Sequence, residues 1–196
     1  MNAATACAMS AGFWPPSVRV RISMRSLIDR LAAARIGQTT NFYRVGAGAA
    51  LRRARLTAYL DERADAPILL VGEAPGYRGA RVSGIPFTSE RQLTGTGPAE
   101  ATATAVHRVL GELGLAEHVL LWNVVPTHPG TATSNRTPTR SEIALGRPFA
   151  DELAAGRRVV AVGRVAHALY GGAYVRHPSH GGAVEFALGL RALIGR

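Results

Sequence analysis

The stretch Ile68–Gly76 constrains the fold of this chain more than any other. Its first four residues form a short apolar run after a proline, which is typical of a strand buried on both faces of a parallel sheet. Gly72, Pro75 and Gly76 then interrupt the pattern and predict a tight loop. Ligands bind at the carboxyl ends of strands in open α/β sheets. The sequence therefore predicts that a rigid strand holds Glu73 at a binding site, with a solvated loop carboxylate as the ordinary alternative.

The rest of the chain continues this alternation of strands and helices. Short apolar runs predict strands, and periodic segments between them predict helices. The predicted strands are Ile68–Val71, Val119–Trp122, Val159–Val162 and Tyr174–Arg176, and the predicted helices cover residues 26–34, 49–63, 99–113, 141–155, 165–170 and 184–194. Alternation of this kind predicts an α/β protein, a three-layer αβα sandwich with a four-stranded parallel sheet.

Two regions depart from this alternation. Residues 1–23 carry their arginines late, whereas a secretory signal places positive charge before a longer apolar core. We therefore expect a disordered N-terminal arm over residues 1–23 and a single domain over residues 24–196, a length that allows a sizeable core. Residues 124–139 are rich in Pro, Thr and Gly, and so long a loop in a compact domain is usually functional or disordered.

The charge of the chain favours a nucleic-acid partner. The formal net charge is +10, and all 23 basic residues are arginine, whose planar guanidinium matches phosphate geometry. A solvated basic surface in an arginine-rich proteome is the alternative explanation. No run reaches the roughly 18 apolar residues that span a bilayer. We therefore expect no membrane partner. The single cysteine is consistent with a reducing cytoplasm, and we expect a cytoplasmic protein that acts as a monomer.

Composition and motifs exclude several classes of site. Cys7 is the only cysteine, so no disulfide and no cysteine-ligated zinc or iron–sulfur site can form within one chain. We expect no metal and no cofactor. The chain contains neither a Gly-x-Ser-x-Gly nucleophile elbow nor a Gly-x-Gly-x-x-Gly motif, which disfavours an α/β hydrolase and a Rossmann nucleotide binder.

Polar residues follow three of the predicted strands. Glu73 follows the first strand, Asn123 the second and His177 the fourth. Because parallel strands end at the same edge of a sheet, we expect these three side chains to lie close together there. That edge is the predicted functional site.

The segments at these strand ends resemble the uracil-DNA glycosylase superfamily. The resemblance rests on Gly72–Gly76, Asn123–Pro126 and His177–Ser179. The first of these, together with Gly84–Phe87 and Asn135–Pro138, is most similar to the iron–sulfur uracil-DNA glycosylases of bacteria and archaea. That group binds a four-iron cluster through four cysteines, and a chain with one cysteine departs from it in this respect.

Two further departures concern the base pocket. The best-known members of the family have an Asp where Ala74 aligns and a Tyr where Gly76 aligns, and that Tyr blocks the methyl group of thymine. An apolar wedge often follows the His-Pro-Ser sequence and fills the gap left by the flipped base, whereas Gly181 and Gly182 follow it here. The resemblance therefore implies uracil or a related deaminated base as the substrate and leaves the choice open.

The resemblance implies two catalytic residues. Breaking the glycosidic bond leaves negative charge on the base and an oxocarbenium-like sugar, so a donor and a carboxylate both help. Glu73 would orient water and stabilise the sugar cation, with Glu90 as the competing carboxylate on the next loop. His177 would donate a hydrogen bond to the O2 atom of the leaving base.

The base and the DNA backbone have their own predicted contacts. Asn123 carries an acceptor and donors on one amide, which match N3–H and O4 of uracil and reject cytosine. The resemblance assigns Gly72, Ala74 and Phe87 to the base pocket, where Phe87 would stack on a base flipped out of the duplex. His128 is a secondary candidate for the pocket wall. The predicted DNA contacts are Arg136, Ser179 and His180.

These observations predict a DNA glycosylase that hydrolyses the N-glycosidic bond of uracil or a related deaminated base and starts base excision repair. Glycosylases that also cut the backbone use an amine Schiff base, and this chain has no lysine. We therefore predict a monofunctional enzyme that leaves an abasic site. The alternative is a non-catalytic nucleic-acid-binding relative of the same fold. The joint presence of Glu73, Asn123 and His177 favours the enzyme.

Overall fold

A parallel sheet forms the centre of the protein in a computed structural model that describes residues 23–194. The strands are β1 (Ile68–Gly72), β2 (Val119–Asn123), β3 (Arg158–Val162) and β4 (Ala173–Val175), in the order β2-β1-β3-β4. All three pairings are parallel. The predicted four-stranded parallel sheet is confirmed. The arm predicted over residues 1–23 lies outside the described residues apart from Ser23.

Helices connect and cover these strands. They are α1 (Met24–Ala33), α2 (Ala49–Glu62), α3 (Ala80–Ser83), α4 (Glu90–Thr94), α5 (Ala101–Glu112), α6 (Arg140–Ala154), α7 (Arg164–Tyr170) and α8 (Ala183–Ile194). The sequence did not predict α3 and α4, because helices of four and five residues are too short to show a period. Helix α1 begins earlier than predicted because the Ser23 hydroxyl caps it by accepting the Ser26 amide at 3.4 Å.

Alternate residues of β1 pack on opposite sides of the sheet. Leu69 and Val71 belong to a core cluster that includes residues of α1, α2, α6 and α7. Ile68 and Leu70 belong to a second cluster with residues of α5 and α8. Both faces of the strand are therefore buried, as its continuous apolar sequence indicates. The predicted three-layer αβα sandwich is confirmed.

The register of the strands places the candidate site. Gly72 pairs with Asn123 at the carboxyl ends of β1 and β2. Backbone pairing continues beyond the strands, since the Gly72 and Glu73 carbonyls accept the amides of Val124 and Val125 at 2.9 and 3.0 Å. The loop containing Glu73 is therefore held against the start of the long loop after β2.

His128 fixes the long loop over residues 124–139 from inside the protein. Its ring is fully buried, with Nδ1 2.8 Å from the carbonyl oxygen of Pro75 and Nε2 2.8 Å from that of Thr131. The His128 backbone also forms an antiparallel bridge with Thr40. Both ring nitrogens are engaged, so His128 braces the loop and does not belong to the pocket wall described below.

Glu142 anchors the same loop to the start of α6. Its buried carboxylate accepts two hydrogen bonds of 2.7 Å from the Arg136 guanidinium, one of 2.8 Å from the Thr139 amide and one of 3.1 Å from the Gln38 amide. The hydrogen bonds from Arg136 are the main reason that the pKa of Glu142 is lowered to about 2. The carboxylate thus joins the long loop and the start of α6 to Gln38, which is 104 positions away in sequence.

Glu142→Gln is expected to lower the free energy of unfolding at pH 7 by about 1–3 kcal/mol, because it weakens hydrogen bonds made to a charged acceptor. In the wild type the Glu142 contribution is complete above the ordinary pKa of 4.5 and is lost as the pH falls towards about 2. The variant should lack that acid dependence. Urea unfolding at several pH values measures both effects. Glu152→Gln, which weakens an exposed pair with Arg30, is the control and should cost less than about 1 kcal/mol.

Candidate active site

A small pocket lies at the carboxyl edge of the sheet. Its wall includes Ala74, Phe87, Glu100, Asn123 and His177. The enclosed volume is about 20 Å³, enough for about one water molecule. A nucleobase can therefore enter only after side chains in the wall move.

The structure brings four of the predicted site residues into this wall: Ala74, Phe87, Asn123 and His177. Asn123 is the last residue of β2 and is only 4% exposed. Within the described residues its amide has no hydrogen-bond partner, so both of its polar atoms are available to a ligand. An amide whose polar atoms are open to a pocket can bind a ligand that carries a matching donor and acceptor.

Gly72 shapes the pocket through its missing side chain. A Cβ atom at this position would overlap the ring of Phe87 and would lie 2.9 Å from the Oδ1 atom of Asn123. Only glycine therefore allows the aromatic ring and the amide to meet over the end of β1. Gly72 itself does not line the pocket.

Two non-glycine residues among those described have positive φ angles, and both lie at this site. Phe87 has φ of 53° and His180 has φ of 51°. Such a backbone costs about 1–3 kcal/mol and is concentrated at functional sites. The turn at Phe87 is supported by Thr88, whose hydroxyl donates to the Pro86 carbonyl at 3.1 Å and lies 3.0 Å from His107 Nε2. The fold thus holds the Phe87 backbone in an unfavourable conformation and fixes the position of its ring.

The hydrogen bonds of His177 define where its proton lies. The Ser179 amide donates to His177 Nδ1 at 3.2 Å, and the Ser179 hydroxyl lies 2.8 Å from the same nitrogen. Because Nδ1 accepts, a neutral ring carries its proton on Nε2. Burial, with a smaller contribution from His180, lowers the pKa of His177. The site therefore contains a neutral imidazole with one available donor, Nε2–H.

Glu73 and Glu90, the two carboxylates weighed from the sequence, have different surroundings. Glu73 is partly buried beside the pocket but is not in its wall, and burial raises the pKa of its carboxyl. Its carboxylate has no hydrogen-bond partner within the described residues. Glu90 instead accepts two hydrogen bonds of 2.8 and 3.0 Å from the Arg55 guanidinium. Glu90 therefore forms an ion pair with Arg55, whereas the Glu73 carboxylate can still bind water or a ligand.

Glu100 is a carboxylate of the pocket wall that the sequence reasoning missed. It is the N-cap residue of α5, and its carboxylate fills the space beside two glycines, since a Cβ at Gly76 or Gly79 would overlap its oxygens. Burial raises the pKa of its carboxyl. One signal could have found it. Helix α5 joins two parallel strands, so its amino terminus lies at the same edge as the end of β1.

The three predicted DNA contacts differ in their exposure and in their hydrogen-bond partners. Arg136 is engaged by Glu142, so its guanidinium holds the long loop. Ser179 is partly buried beside His177, and His180 is exposed. Their contacts with phosphate stay predictions.

Other features of the described residues do not compete with this site. A groove of about 660 Å³ between α6 and α7 has an apolar wall that includes Ile143, Val165 and Leu169 and none of the predicted site residues. Across residues 23–194 no cluster of three or more His, Cys, Asp or Glu side chains is placed to hold a metal ion. Among the same residues, none of the helices has the length and apolar character to span a bilayer.

Comparison with known proteins identifies the family and the fold of this chain. Residues 60–191, more than half of the chain, match the family model of the Uracil DNA glycosylase superfamily. The structure is similar to the crystal structure of wild-type Pedobacter heparinus SMUG2, with a TM-score of 0.61 and 13% sequence identity over 88% of this chain and 98% of that chain. At this identity the likeness concerns the fold alone. Among curated proteins, none matches the sequence.

Proposed function

Because this chain belongs to the uracil DNA glycosylase superfamily, we propose that it is a monofunctional DNA glycosylase that removes uracil or a related deaminated base from DNA. The observation that carries the proposal is the convergence of Phe87, Asn123 and His177 in one pocket at the ends of parallel strands. An aromatic face, a free amide and a neutral imidazole donor are the groups needed to hold a planar base and assist its departure.

The pocket would take a base that has rotated out of the duplex. Unstacking costs a few kcal/mol, and stacking on an aromatic ring returns about 1–3 kcal/mol per base. Phe87 supplies that ring. The Asn123 amide, which has no hydrogen-bond partner within the described residues, can accept N3–H and donate to O4 of uracil.

Hydrolysis would use the neutral donor and the free carboxylate. The bond between C1′ and the base nitrogen breaks, and its electron pair leaves with the base. The Nε2–H of His177 would stabilise the negative charge that develops on O2. Glu73, outside the base pocket, would orient the water that adds to C1′ and accept its proton. The base leaves as an anion and takes up a proton from water, so the products are the free base and an intact strand with an abasic site.

Glu100 would act on the base rather than on the sugar, because its carboxylate lies in the wall of the base pocket. An ionised carboxylate accepts hydrogen bonds only, so it would favour a base that presents N–H groups towards it. Glu100 is therefore proposed as a determinant of which base is removed.

Asn123→Asp is expected to lower the rate of uracil excision about 10-fold or more. The change replaces the amide donor with an acceptor that faces O4, and one lost polar match in a buried site costs roughly 1–3 kcal/mol. Excision of cytosine, whose exocyclic amine donates, should rise relative to uracil. Single-turnover assays on both bases check this expectation. Unchanged uracil kinetics would remove Asn123 from the base contact.

The proposed function is tested with end-labelled oligonucleotides that carry uracil, hypoxanthine, xanthine or a G·T mismatch. The expected product is an abasic strand that breaks only after hot alkali, since a monofunctional enzyme leaves the backbone intact. Tight binding to a damaged strand with no base release would support the non-catalytic relative instead. Strand breaks without alkali would contradict the monofunctional mechanism.

A further inference from the structure

The Ser179 hydroxyl lies between two histidine rings. Its Oγ is 2.8 Å from His177 Nδ1 and 3.0 Å from His180 Nδ1. A hydroxyl donates one proton and accepts through its lone pairs. The Ser179 amide already donates to His177 Nδ1, which marks that nitrogen as an acceptor. If the hydroxyl proton pointed elsewhere, two lone pairs would face each other across 2.8 Å.

The hydrogen bonds in this loop therefore run in one direction. His180 Nδ1–H donates to Ser179 Oγ, the Ser179 hydroxyl donates to His177 Nδ1, and His177 Nε2–H remains as the donor at the pocket. Two donors then act on one nitrogen of His177. The ring cannot rotate by 180° about its Cβ–Cγ bond without losing both contacts, and its proton is confined to Nε2.

The backbone of the loop holds His180 in place for this contact. His180 has a left-handed φ of 51°, which a residue outside turns and functional sites rarely adopts. The Gly182 amide donates to the Ser179 carbonyl at 3.0 Å and closes the turn. The Arg176 guanidinium, which pairs with Glu185 at 3.0 Å, also lies 3.5 Å from the His180 carbonyl. These contacts fold the exposed His180 back onto Ser179.

We propose that His180 is a positioning residue, which acts through the Ser179 hydroxyl to hold His177 in the neutral form with its proton on Nε2. The proposal rests on the proposed function, because it gives His177 the role of donor to the leaving base. His180 itself touches no reacting atom. It sets the orientation and protonation of the residue that does.

The charges around the two rings give the expected pH dependence. His180 lies beside Arg176 and its partner Glu185, while His177 shares the pocket wall with Phe87 and Glu100. Positive charge on His180 lowers the pKa of His177, in addition to the effect of burial. Removal of His180 therefore raises the pKa of His177. The acid limb of the rate profile should move to higher pH, because activity falls as His177 becomes charged.

Four variants separate the parts of this arrangement. His180→Ala and Ser179→Ala should each lower single-turnover excision at saturating DNA about 3- to 10-fold, the effect of one hydrogen bond. The double variant should be no slower than the slower single variant. His180→Asn should restore most of the rate at neutral pH, since its amide donates from the position of Nδ1 and asparagine tolerates positive φ. The acid limb of His180→Asn should stay shifted, because the positive charge of His180 is absent.

His118→Ala is the matched control, since His118 is an exposed histidine that precedes β2.

Nitrogen-15 chemical shifts of His177 test the proposal without any enzymatic activity. In the wild type Nε2 should be protonated and Nδ1 unprotonated, and in His180→Ala and Ser179→Ala the two forms should mix. Unchanged shifts and an unchanged acid limb in His180→Ala would overturn the proposal. So would an effect confined to the salt dependence of DNA affinity, which would identify His180 as a phosphate contact instead. If the wild type releases no base, the proposed function fails while the shifts still decide this inference.

Discussion

His177→Ala is expected to slow single-turnover base release about 10²–10³-fold, the usual cost of removing one preorganised donor to a developing negative charge. The donor is Nε2–H, which the contacts of Ser179 with Nδ1 leave free. Because the interaction strengthens as the base departs, the loss should fall on the rate rather than on DNA affinity. Rapid-quench measurements with enzyme in excess over a uracil oligonucleotide, together with an affinity titration, separate the two quantities.

His167→Ala provides the matched control for this variant. His167 lies on α7, where its ring is 4.9 Å from that of Tyr174, and it is not in the wall of the pocket. Its replacement should leave the rate of base release within about 3-fold of the wild type, because surface changes away from the site have small effects. If His177→Ala were as active as this control, the leaving base would have to draw its stabilisation from another group.

Glu73→Gln is expected to lower the same rate about 10²–10⁴-fold, because the side chain keeps its shape and loses the charge that activates water and stabilises the sugar cation. DNA affinity should be nearly unchanged, since phosphate contacts dominate it. Burial raises the pKa of Glu73, so ionisation of Glu73 should contribute an increase of the wild-type rate with pH through that raised value, beside the increase that comes from His177. Glu73→Gln should lack this part of the pH dependence of the rate.

Variants of two other carboxylates, Glu100 and Glu90, test whether the effect on the rate is specific to Glu73. Glu100→Gln changes a residue of the base pocket, so it should alter the ratio of rates among uracil, hypoxanthine and xanthine more than it alters the fastest rate. Glu90→Gln changes a residue paired with Arg55 outside the pocket and should affect stability more than the ratio. If Glu73→Gln kept full activity and Glu100→Gln lost it, the carboxylate that activates water would be Glu100.

The sheet and the position of the site could be predicted because short-range patterns determine them. Strands β1 and β2 contain continuous apolar runs and are buried along their whole length, as burial on both faces requires. Asn123 ends β2 and His177 follows β4, so the rule for parallel strand ends predicts that they meet. Phe87, which the family resemblance assigns to the base pocket, lies in the same wall. The family resemblance, carried by the same segments, was confirmed for residues 60–191.

The remaining features of the site depend on contacts between distant residues. The carboxylate of Glu100 reaches the pocket only because Gly76 and Gly79 leave room for it, which no local pattern reveals. Glu90 was weighed as a competitor because it lies on the next loop, and the sequence does not show its ion pair with Arg55, which is 35 positions away. Arg136 suggested a phosphate contact, but its pairing with the buried Glu142 appears only in the folded chain. Ion pairs that form only in the folded chain and close packing at glycines thus set the limit of the sequence reasoning.

The most direct test of the account is a double-mutant cycle on base release. Wild type, Glu73→Gln, His177→Ala and the double variant are compared under single-turnover conditions on the best damaged oligonucleotide. If both residues serve one transition state, the double variant should be much less impaired than the product of the two single effects. Independent, fully multiplicative losses would place the two residues in separate steps. A wild type that releases no base from any damaged oligonucleotide would contradict the account.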